Sequence, residues 1–234
     1  MSGCRYALSA HVHACETSGV LIFLDLRNDQ YFSLDRSTTR LLAPLLSGER
    51  DDISLDNERQ KALRCAADVL LAQKLIIPDD DAPDKASASQ LERPTKSLAP
   101  IHFNTLSNIR AAHLFDFFKA STRAASKLRR WPIARTVESI RAGRRERAAP
   151  FDAAQASELM SAFVTLRPLF PKPYVCLFDS LAALEFLSQH HCFPKWVFAV
   201  KASPFGAHCW LQEGDLILND SVERVGAYTP IMVV

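Results

Sequence analysis

Apolar and polar residues alternate along the first part of the chain, which is the pattern of β-strands with one buried face. Residues 6–13 alternate in this way, and residues 19–26 (GVLIFLDL) form a stronger strand pattern. A turn at 27–29 separates the second strand from a returning strand at 30–34. The pattern therefore predicts a small antiparallel sheet near the N-terminus.

Helical spacing replaces this alternation after residue 34. A helix is predicted from Asp35 or Ser37, either of which can cap it, to residue 46. A longer helix is predicted at 57–74, where Asp56 is the candidate cap and apolar residues recur on one face. The first 80 residues are therefore expected to form one strand-and-helix module.

The second half of the chain shows helical patterns first and strand patterns afterwards. Helices are predicted at 101–119, 121–130, 152–163 and 175–189. The last of these helices is apolar around most of its circumference, so we expect it to be buried. Strands are predicted at 195–201, 207–212 and 216–220.

The stretch at 81–100 is polar and punctuated by prolines, which is typical of a linker. We therefore predict an α+β protein whose two domains, residues 1–80 and residues 101–234, are joined by this linker.

The net charge of +2 conceals an uneven distribution of charge. Residues 1–93 hold 11 basic and 15 acidic side chains, whereas the remainder holds 17 basic and 11 acidic ones. Because the N-terminal module is net acidic, we do not expect it to bind nucleic acid. Lys119–Arg147 contains ten basic residues against two acidic ones. It is either a solvated helical surface or a docking surface for an acidic partner or a phosphate-bearing nucleotide.

Several functional classes are not expected. No apolar run reaches the roughly 20 residues that cross a bilayer, and the N-terminus lacks a secretory signal pattern. We therefore expect a cytoplasmic protein with no membrane partner. The six cysteines form no CxxC pair, so no metal site is predicted. No glycine is followed by lysine, so the P-loop lysine motif is missing and no bound cofactor is predicted.

The strongest candidate for chemistry is Cys176, which lies in the first turn of the buried helix. Free N–H groups and the positive end of the helix dipole favour a thiolate there. His208 and Asp220 lie on the two strands of a hairpin around residues 213–215. A three-residue connection would place Asp220 directly opposite His208, whereas a connection of two or four residues would turn it to the other face.

Other nearby residues leave alternatives open. Asn219 and Asp215 are also close enough in sequence to orient an imidazole. Cys192 and Cys209 are interpreted as packing cysteines. The backbone N–H of Cys176 is the first candidate for an oxyanion donor.

These motifs together resemble the lasso-peptide biosynthesis B protein, a McjB-type leader peptidase similar to transglutaminase-like and papain-like cysteine peptidases. The segments that carry the resemblance are Cys176 with its helix, Trp196–Phe198, Pro204–Trp210 (PFGAHCW), Leu218–Asp220 and Tyr228–Val234. The resemblance implies that Cys176 attacks the peptide bond, His208 transfers the proton and Asp220 orients the imidazole.

The N-terminal module resembles the PqqD-type peptide-recognition fold, a winged-helix relative, through residues 24–26 and 31–35. This resemblance implies that a leader peptide adds as a further strand beside 30–34 and lies against the 57–74 helix. The leader-binding residues expected from it are Gln30, Tyr31, Phe32, Ser33, Leu34, Leu63 and Leu70. The alternative is that the module is only a structural cap.

The family resemblance also implies two partners, the leader of a precursor peptide and a lasso cyclase similar to asparagine synthetase. It further implies ATP dependence of processing, although the sequence shows no nucleotide motif. Two alternatives from other classes are a transglutaminase-like acyltransferase and a non-catalytic peptide-binding scaffold.

Overall fold

The structure, a computed structural model, describes residues 6–47, 57–78, 91–98, 109–146 and 150–234. The chain divides into two compact units, one formed by residues 1–87 with 200–206 and the other by residues 88–199 with 207–234. The predicted cap Asp56 and the predicted start of a helix at residue 101 lie outside the described residues. The mixed α+β class predicted from the sequence is confirmed.

The first unit contains a three-stranded antiparallel sheet in the order β2-β3-β4, a two-stranded ladder of β1 and β5, and two helices. The elements are β1 (Tyr6–Leu8), β2 (Val12–Thr17), β3 (Val20–Asp25), β4 (Gln30–Ser33), α1 (Arg36–Ser47), α2 (Asn57–Ala72) and β5 (Ile76–Pro78). The single strand predicted at 6–13 is instead two strands. The backbone N–H of Val12 bonds to the Ser9 carbonyl at 2.9 Å, and this turn reverses the chain between them.

Apolar residues from the sheet and both helices form the core of this unit. Phe23, Leu42, Leu70, Leu75 and Ile76 are each at most 3% exposed and belong to one cluster. Asp35 caps α1, because its Oδ1 accepts the N–H groups of Ser37 and Thr38 at 2.9 and 3.0 Å. Of the two caps predicted for this helix, Asp35 and Ser37, the structure therefore uses Asp35.

The second unit contains nearly all of a five-stranded sheet with the order β10-β7-β8-β9-β6, since only residues 200, 201 and 206 of its strands are grouped with the first unit. Its strands are β6 (Lys96–Ser97), β7 (Lys195–Lys201), β8 (Gly206–Glu213), β9 (Leu216–Ile217) and β10 (Thr229–Val233). The sequence pattern did not predict β10, which continues into reciprocal backbone hydrogen bonds of 3.0 and 2.9 Å between Trp196 and Val234.

The structure also differs from the predicted 81–100 linker. Residues 96–97 form β6, which pairs in parallel with β9, and the N–H of Leu98 bonds to the Ile217 carbonyl at 2.8 Å. Leu91 packs against the apolar cluster of the same sheet. These backbone bonds draw a polar segment into the second unit, because pairing with a sheet edge needs no apolar side chains.

Five helices accompany this sheet in the described part of the second unit: α3 (Ala111–Arg130), α4 (Ile133–Glu146), α5 (Ala153–Leu166), α6 (Cys176–Ser188) and α7 (Val222–Val225). The break predicted at residue 120 is absent from α3, since Ala120 and Ser121 are fully buried where α3 packs on α6. The prediction that α6 is buried is confirmed, with Leu181, Ala182 and Phe186 all inaccessible. None of the helices in the described ranges has the length and apolar character needed to cross a bilayer.

Candidate active site

Cys176 is the first residue of α6. Val175 precedes it with an extended backbone (φ −134°, ψ 128°), so the chain enters the helix at Cys176 itself. The first N–H groups of a helix have no partner within it, and the helix dipole is positive at this end. A half-buried cysteine in this position is therefore in surroundings that favour a thiolate.

The β8–β9 hairpin does not have the three-residue connection that would place Asp220 directly opposite His208. Glu213 pairs with Leu216 and Gln212 with Ile217, so the connection consists of two residues, the first being Gly214 with φ +54°. An ideal continuation of this ladder would place Asp220 on the face away from His208. The three-residue prediction was wrong, and the position of Asp220 needs another explanation.

That explanation is the early end of the ladder. The N–H of Leu218 still bonds to the Leu211 carbonyl at 2.9 Å. The N–H of Leu211 then donates to the side-chain Oδ1 of Asn219 at 2.7 Å. Because a side chain accepts this bond, the backbone after Leu218 is released from the sheet and bends. The bend brings Asp220 to His208 in spite of the two-residue connection.

His208 and Asp220 form a short, largely buried contact. Nε2 of His208 lies 2.6 Å from Oδ2 of Asp220, and the two side chains are 4% and 10% exposed. The other carboxylate oxygen accepts the N–H of Ser221 at 2.8 Å. The imidazole also packs against the rings of Trp210 and Tyr228, whose centroids lie 6.0 and 5.1 Å away. Both the carboxylate and the imidazole are therefore held in one orientation.

Electrostatics favour an ion pair between Cys176 and His208. Hydrogen bonds from the Cys209 and His208 side chains lower the pKa of Cys176 to about 4, against the opposing effect of burial. Hydrogen bonds with Asp220 and Cys176 raise the pKa of His208 to about 9. Burial acts to raise the pKa of Asp220, but the bonds from His208 and Ser221 outweigh it and the pKa is lowered. A thiolate and an imidazolium therefore coexist between about pH 4 and about pH 9.

Because Nε2 of the imidazole bonds to Asp220, Nδ1 is the ring nitrogen that can bond to the thiolate of Cys176. In the imidazolium both ring nitrogens carry protons and both donate. This arrangement provides a nucleophile, a proton donor that can return as a base, and an orienting carboxylate.

Cys209 lies in this site, although the sequence suggested only a packing role. Its thiol and its backbone both hydrogen-bond to Cys176. The Oγ of Ser180 lies 3.3 Å from the Cys209 sulfur, donates to the Cys176 carbonyl at 2.6 Å and accepts Nε1–H of Trp196 at 2.8 Å. Ser180 and Trp196 were not predicted as site residues. They become recognisable only when α6 packs on the sheet.

Arg167 organises the segment that leads to Cys176. Its guanidinium, 3% exposed, donates to the carbonyls of Phe170, Lys172 and Pro173 at 3.2, 2.9 and 3.1 Å, and to the carboxylate of Asp179. Burial is the largest influence on Asp179 and raises its pKa in spite of this partner. A lone arginine after a helix carries no sequence signal of such a role, so sequence analysis missed it.

A cavity of about 670 Å³ opens onto the three candidate catalytic residues. The apolar part of its lining includes Leu98, Met160, Phe163, Val164 and Leu218. A cavity of this volume, with a few convergent polar groups, is typical of a site for a small molecule or a peptide side chain. Asp215 does not line it, since it contacts Thr95 and Lys96 at the hairpin tip.

The expected leader-binding residues divide into two groups. Gln30, Tyr31, Phe32 and Ser33 form β4, an outer strand of the β2-β3-β4 sheet, and Leu34 follows it. Leu70 is 3% exposed inside the core, so it stabilises the unit and is not an accessible contact, which corrects the expectation for this residue. Leu63 is partly buried against the same core.

No group of three or more His, Cys, Asp and Glu side chains that could hold a metal occurs within the described ranges. Cys192 is buried, and burial raises its pKa to about 11. It therefore differs from Cys176 in both access and ionisation.

This difference makes a prediction for alkylation. At pH 6 Cys176 is a thiolate, whereas Cys192 and Cys15, with pKa values raised to about 11 and about 12, are neutral thiols. Iodoacetamide should label Cys176 before the other two, at a rate that hardly changes between pH 6 and pH 8. Peptide mapping by mass spectrometry measures each rate. A rise of about a hundredfold for Cys176 over this range, as for an unperturbed thiol, would contradict the ion pair.

Residues 120–233 match the family model described as the transglutaminase-like superfamily. Cys176, His208 and Asp220 all lie within the matched range. Comparison with curated protein sequences and with solved structures found no match.

Proposed function

We propose that the transglutaminase-like superfamily domain at residues 120–233 is a cysteine peptidase that removes the leader from a lasso-peptide precursor. The observation that carries the proposal is the arrangement of Cys176, His208 and Asp220 around one cavity, and it is supported by a lowered pKa for the thiol and a raised pKa for the imidazole. The choice of substrate is supported by the sequence resemblance of the Cys176, PFGAHCW and Leu218–Asp220 segments to lasso-peptide B proteins.

The chemistry follows from the geometry. The Cys176 thiolate attacks the carbonyl carbon of the scissile bond, and we assign the backbone N–H of Cys176 as the first oxyanion donor. His208 gives its Nδ1 proton to the departing amine, which is the new amino terminus of the core peptide. Neutral His208 then takes a proton from water, which attacks the thioester and releases the leader as a carboxylic acid. Asp220 keeps the imidazole oriented throughout.

Leader capture is assigned to β4 in the first unit. The N–H of Leu34 bonds to the Leu21 carbonyl at 2.9 Å, so the alternation of an antiparallel ladder directs Phe32 and Gln30 toward β3 in the same way. The backbone of Ser33, at the intervening position, is directed toward the other edge. An extended leader can bind there by adding a strand.

Ser33→Pro tests this mode of binding. Proline removes the N–H that would bond to the leader and leaves the donors that face β3 intact. We expect the affinity for the leader peptide to fall about tenfold or more, since one bond is lost and its partner is left unpaired. Fluorescence anisotropy with the full chain measures the affinity. Ser33→Ala, which retains the N–H, is the matched control and should bind as the parent does. Equal binding by both variants would remove β4 from the proposal.

The central experiment incubates the full chain with the peptide encoded by the small open reading frame beside its gene, in ¹⁸O-labelled water. A peptidase yields leader and core, and one ¹⁸O atom enters the leader carboxylate. An acyltransferase, which would use the same three residues, yields product only after an amine acceptor is added. A binding scaffold yields no product. Mass spectrometry separates these results, and only the first supports the proposal.

The proposed cleavage has a defined place in a sequence of reactions. It creates a free amine at the start of the core peptide. A lasso cyclase similar to asparagine synthetase would join that amine to an Asp or Glu side chain, and activation of this carboxylate consumes ATP. We propose that any ATP dependence of processing belongs to that partner reaction.

A further inference from the structure

A second cavity, of about 490 Å³, lies between α3, α4 and the C-terminal end of α6. It has no lining residue in common with the active-site cavity. Its volume, its concave shape and its position between helices are typical of a site for a small molecule.

The side chains around this cavity are strongly cationic. Arg123, Lys127 and Arg130 of α3 and Arg144 of α4 line it, and Glu185 is the one carboxylate among the lining residues. Nζ of Lys127 lies 2.6 Å from Oε1 of Glu185 in a mostly buried pair, so Glu185 is already neutralised.

The remaining cationic side chains differ in whether they have a hydrogen-bond or ion-pair partner. Arg144 donates to the Val234 carbonyl at 3.1 Å and lies 3.6 Å from Glu213. Arg123 and Arg130 are exposed on α3, and neither has an ion-pair partner among the described residues. Two arginines next to a concave surface therefore have guanidinium donors available for an anion.

Gly143 leaves free space on the α4 side of the cavity. It lies in α4 on the cavity wall, and a Cβ added there would meet no atom within 4 Å. Packing therefore does not require glycine at this position, and glycine is the weakest helix former apart from proline. A larger side chain at 143 would therefore extend into free space beside the residues that line the cavity.

Hydroxyl groups and an apolar surface complete the lining. Ser139 accepts a hydrogen bond from Lys127 at 3.2 Å, and Ser126 also lines the cavity. Ile140 and Leu184 provide apolar surface beside the charged rim. Arginine forks with nearby hydroxyls match the tetrahedral oxygens of a phosphate group better than they match a neutral ligand.

We propose that this cavity binds a small phosphate-bearing molecule, with Arg123 and Arg130 as the principal ligands of the phosphate. The inference does not depend on the proposed peptidase activity, because the two cavities are separate and binding can be measured without substrate.

Isothermal titration calorimetry of the full chain with sodium pyrophosphate, at constant ionic strength, tests the proposal. Arg123→Gln and Arg130→Gln should each weaken binding about tenfold, since each removes a charge-assisted contact. Gly143→Leu should also weaken binding, because its side chain would occupy part of the cavity beside α4. Arg129→Gln is the matched control, because Arg129 is exposed on the same helix but does not line the cavity, and it should bind as the parent does.

Further titrations identify the source of the phosphate and the competing explanations. Tighter binding of ATP than of pyrophosphate would indicate a nucleotide, and equal binding would indicate a free phosphoanion; either result supports the site. Absence of binding at millimolar pyrophosphate would overturn it. So would equal weakening by Arg129→Gln and Arg123→Gln, which indicates diffuse charge attraction, or tighter binding of an oligoglutamate peptide, which indicates an acidic protein partner. Thermal unfolding of each variant verifies that it is folded. If Gly143→Leu does not fold, the variants of the exposed arginines still test whether the cavity binds phosphate.

Discussion

Cys176→Ala is expected to lower the rate of precursor cleavage by about four orders of magnitude or more, while the affinity for the leader stays unchanged. Removal of the nucleophile of a catalytic triad typically has an effect of this size, because the remaining groups cannot form the covalent intermediate. Leader binding is assigned to β4, which belongs to the first unit, whereas Cys176 belongs to the second. Mass spectrometry of the products and anisotropy with the labelled leader measure the two properties separately.

Cys65→Ala is the matched control for this experiment. Cys65 is an exposed free cysteine of α2, so its loss should change neither the rate nor the fold. Cleavage by Cys176→Ala at the parental rate would show that the nucleophile is a different residue. Loss of leader binding in the same variant would mean that capture is not confined to the first unit.

Asp220→Asn is expected to lower turnover about tenfold to a thousandfold. The comparable change in a serine triad lowers turnover about ten-thousandfold. A cysteine depends less on its base, because the thiolate at Cys176 is already formed at neutral pH. Asparagine keeps the shape of the side chain but removes the charge that stabilises the imidazolium.

The pH profile distinguishes this effect from a general loss of structure. The pKa of His208 is raised to about 9, with the hydrogen bond to Asp220 as the largest cause. Activity that needs the imidazolium should therefore fall as the pH rises through about 9. In Asp220→Asn the pKa of His208 should be lower, so the alkaline limb of the kcat/KM profile should move to lower pH.

Asp215→Asn serves as the control for Asp220→Asn. Asp215 contacts Thr95 and Lys96 at the hairpin tip and does not line the active-site cavity, so this variant should retain nearly the full rate. A severe loss in Asp215→Asn together with a full rate in Asp220→Asn would show that the third residue of the site has been assigned wrongly.

The elements that the sequence predicted well are those whose own side chains determine them. The buried helix α6 and the strand β7 are long apolar patterns, and both occur where the patterns place them. In contrast, β6 consists of Lys96 and Ser97, which have no apolar periodicity and pair only because β9 offers an edge. A local sequence pattern cannot predict a strand that joins the sheet mainly through backbone hydrogen bonds. Pro230 similarly weakens the strand pattern of β10.

The candidate site also contains residues that the sequence predicts and residues that only the folded structure reveals. The residue types of Cys176, His208 and Asp220 and their places on a helix and a hairpin were sufficient to select them as candidates. Cys209 was interpreted as a packing residue because its contact with Cys176 joins residues that are distant in sequence. Arg167 was missed for the same reason, since its partners become visible only in the folded segment at 170–173. Tertiary contacts, which carry no periodic signal, determine both roles.

The amide of Asn219 has a consequence for how this hairpin can vary. It accepts the N–H of Leu211, which in an uninterrupted ladder would bond to a carbonyl of the opposite strand. The place where the strand terminates is thus encoded in one side chain, and the length of the turn does not by itself decide which way the carboxylate of Asp220 is directed. Asp215 at the tip could therefore change without disturbing the triad, whereas Gly214, with φ +54°, occupies a conformation that favours glycine. A residue at 219 whose side chain cannot accept the N–H of Leu211 would let the strand continue and carry the carboxylate to the opposite face of the sheet.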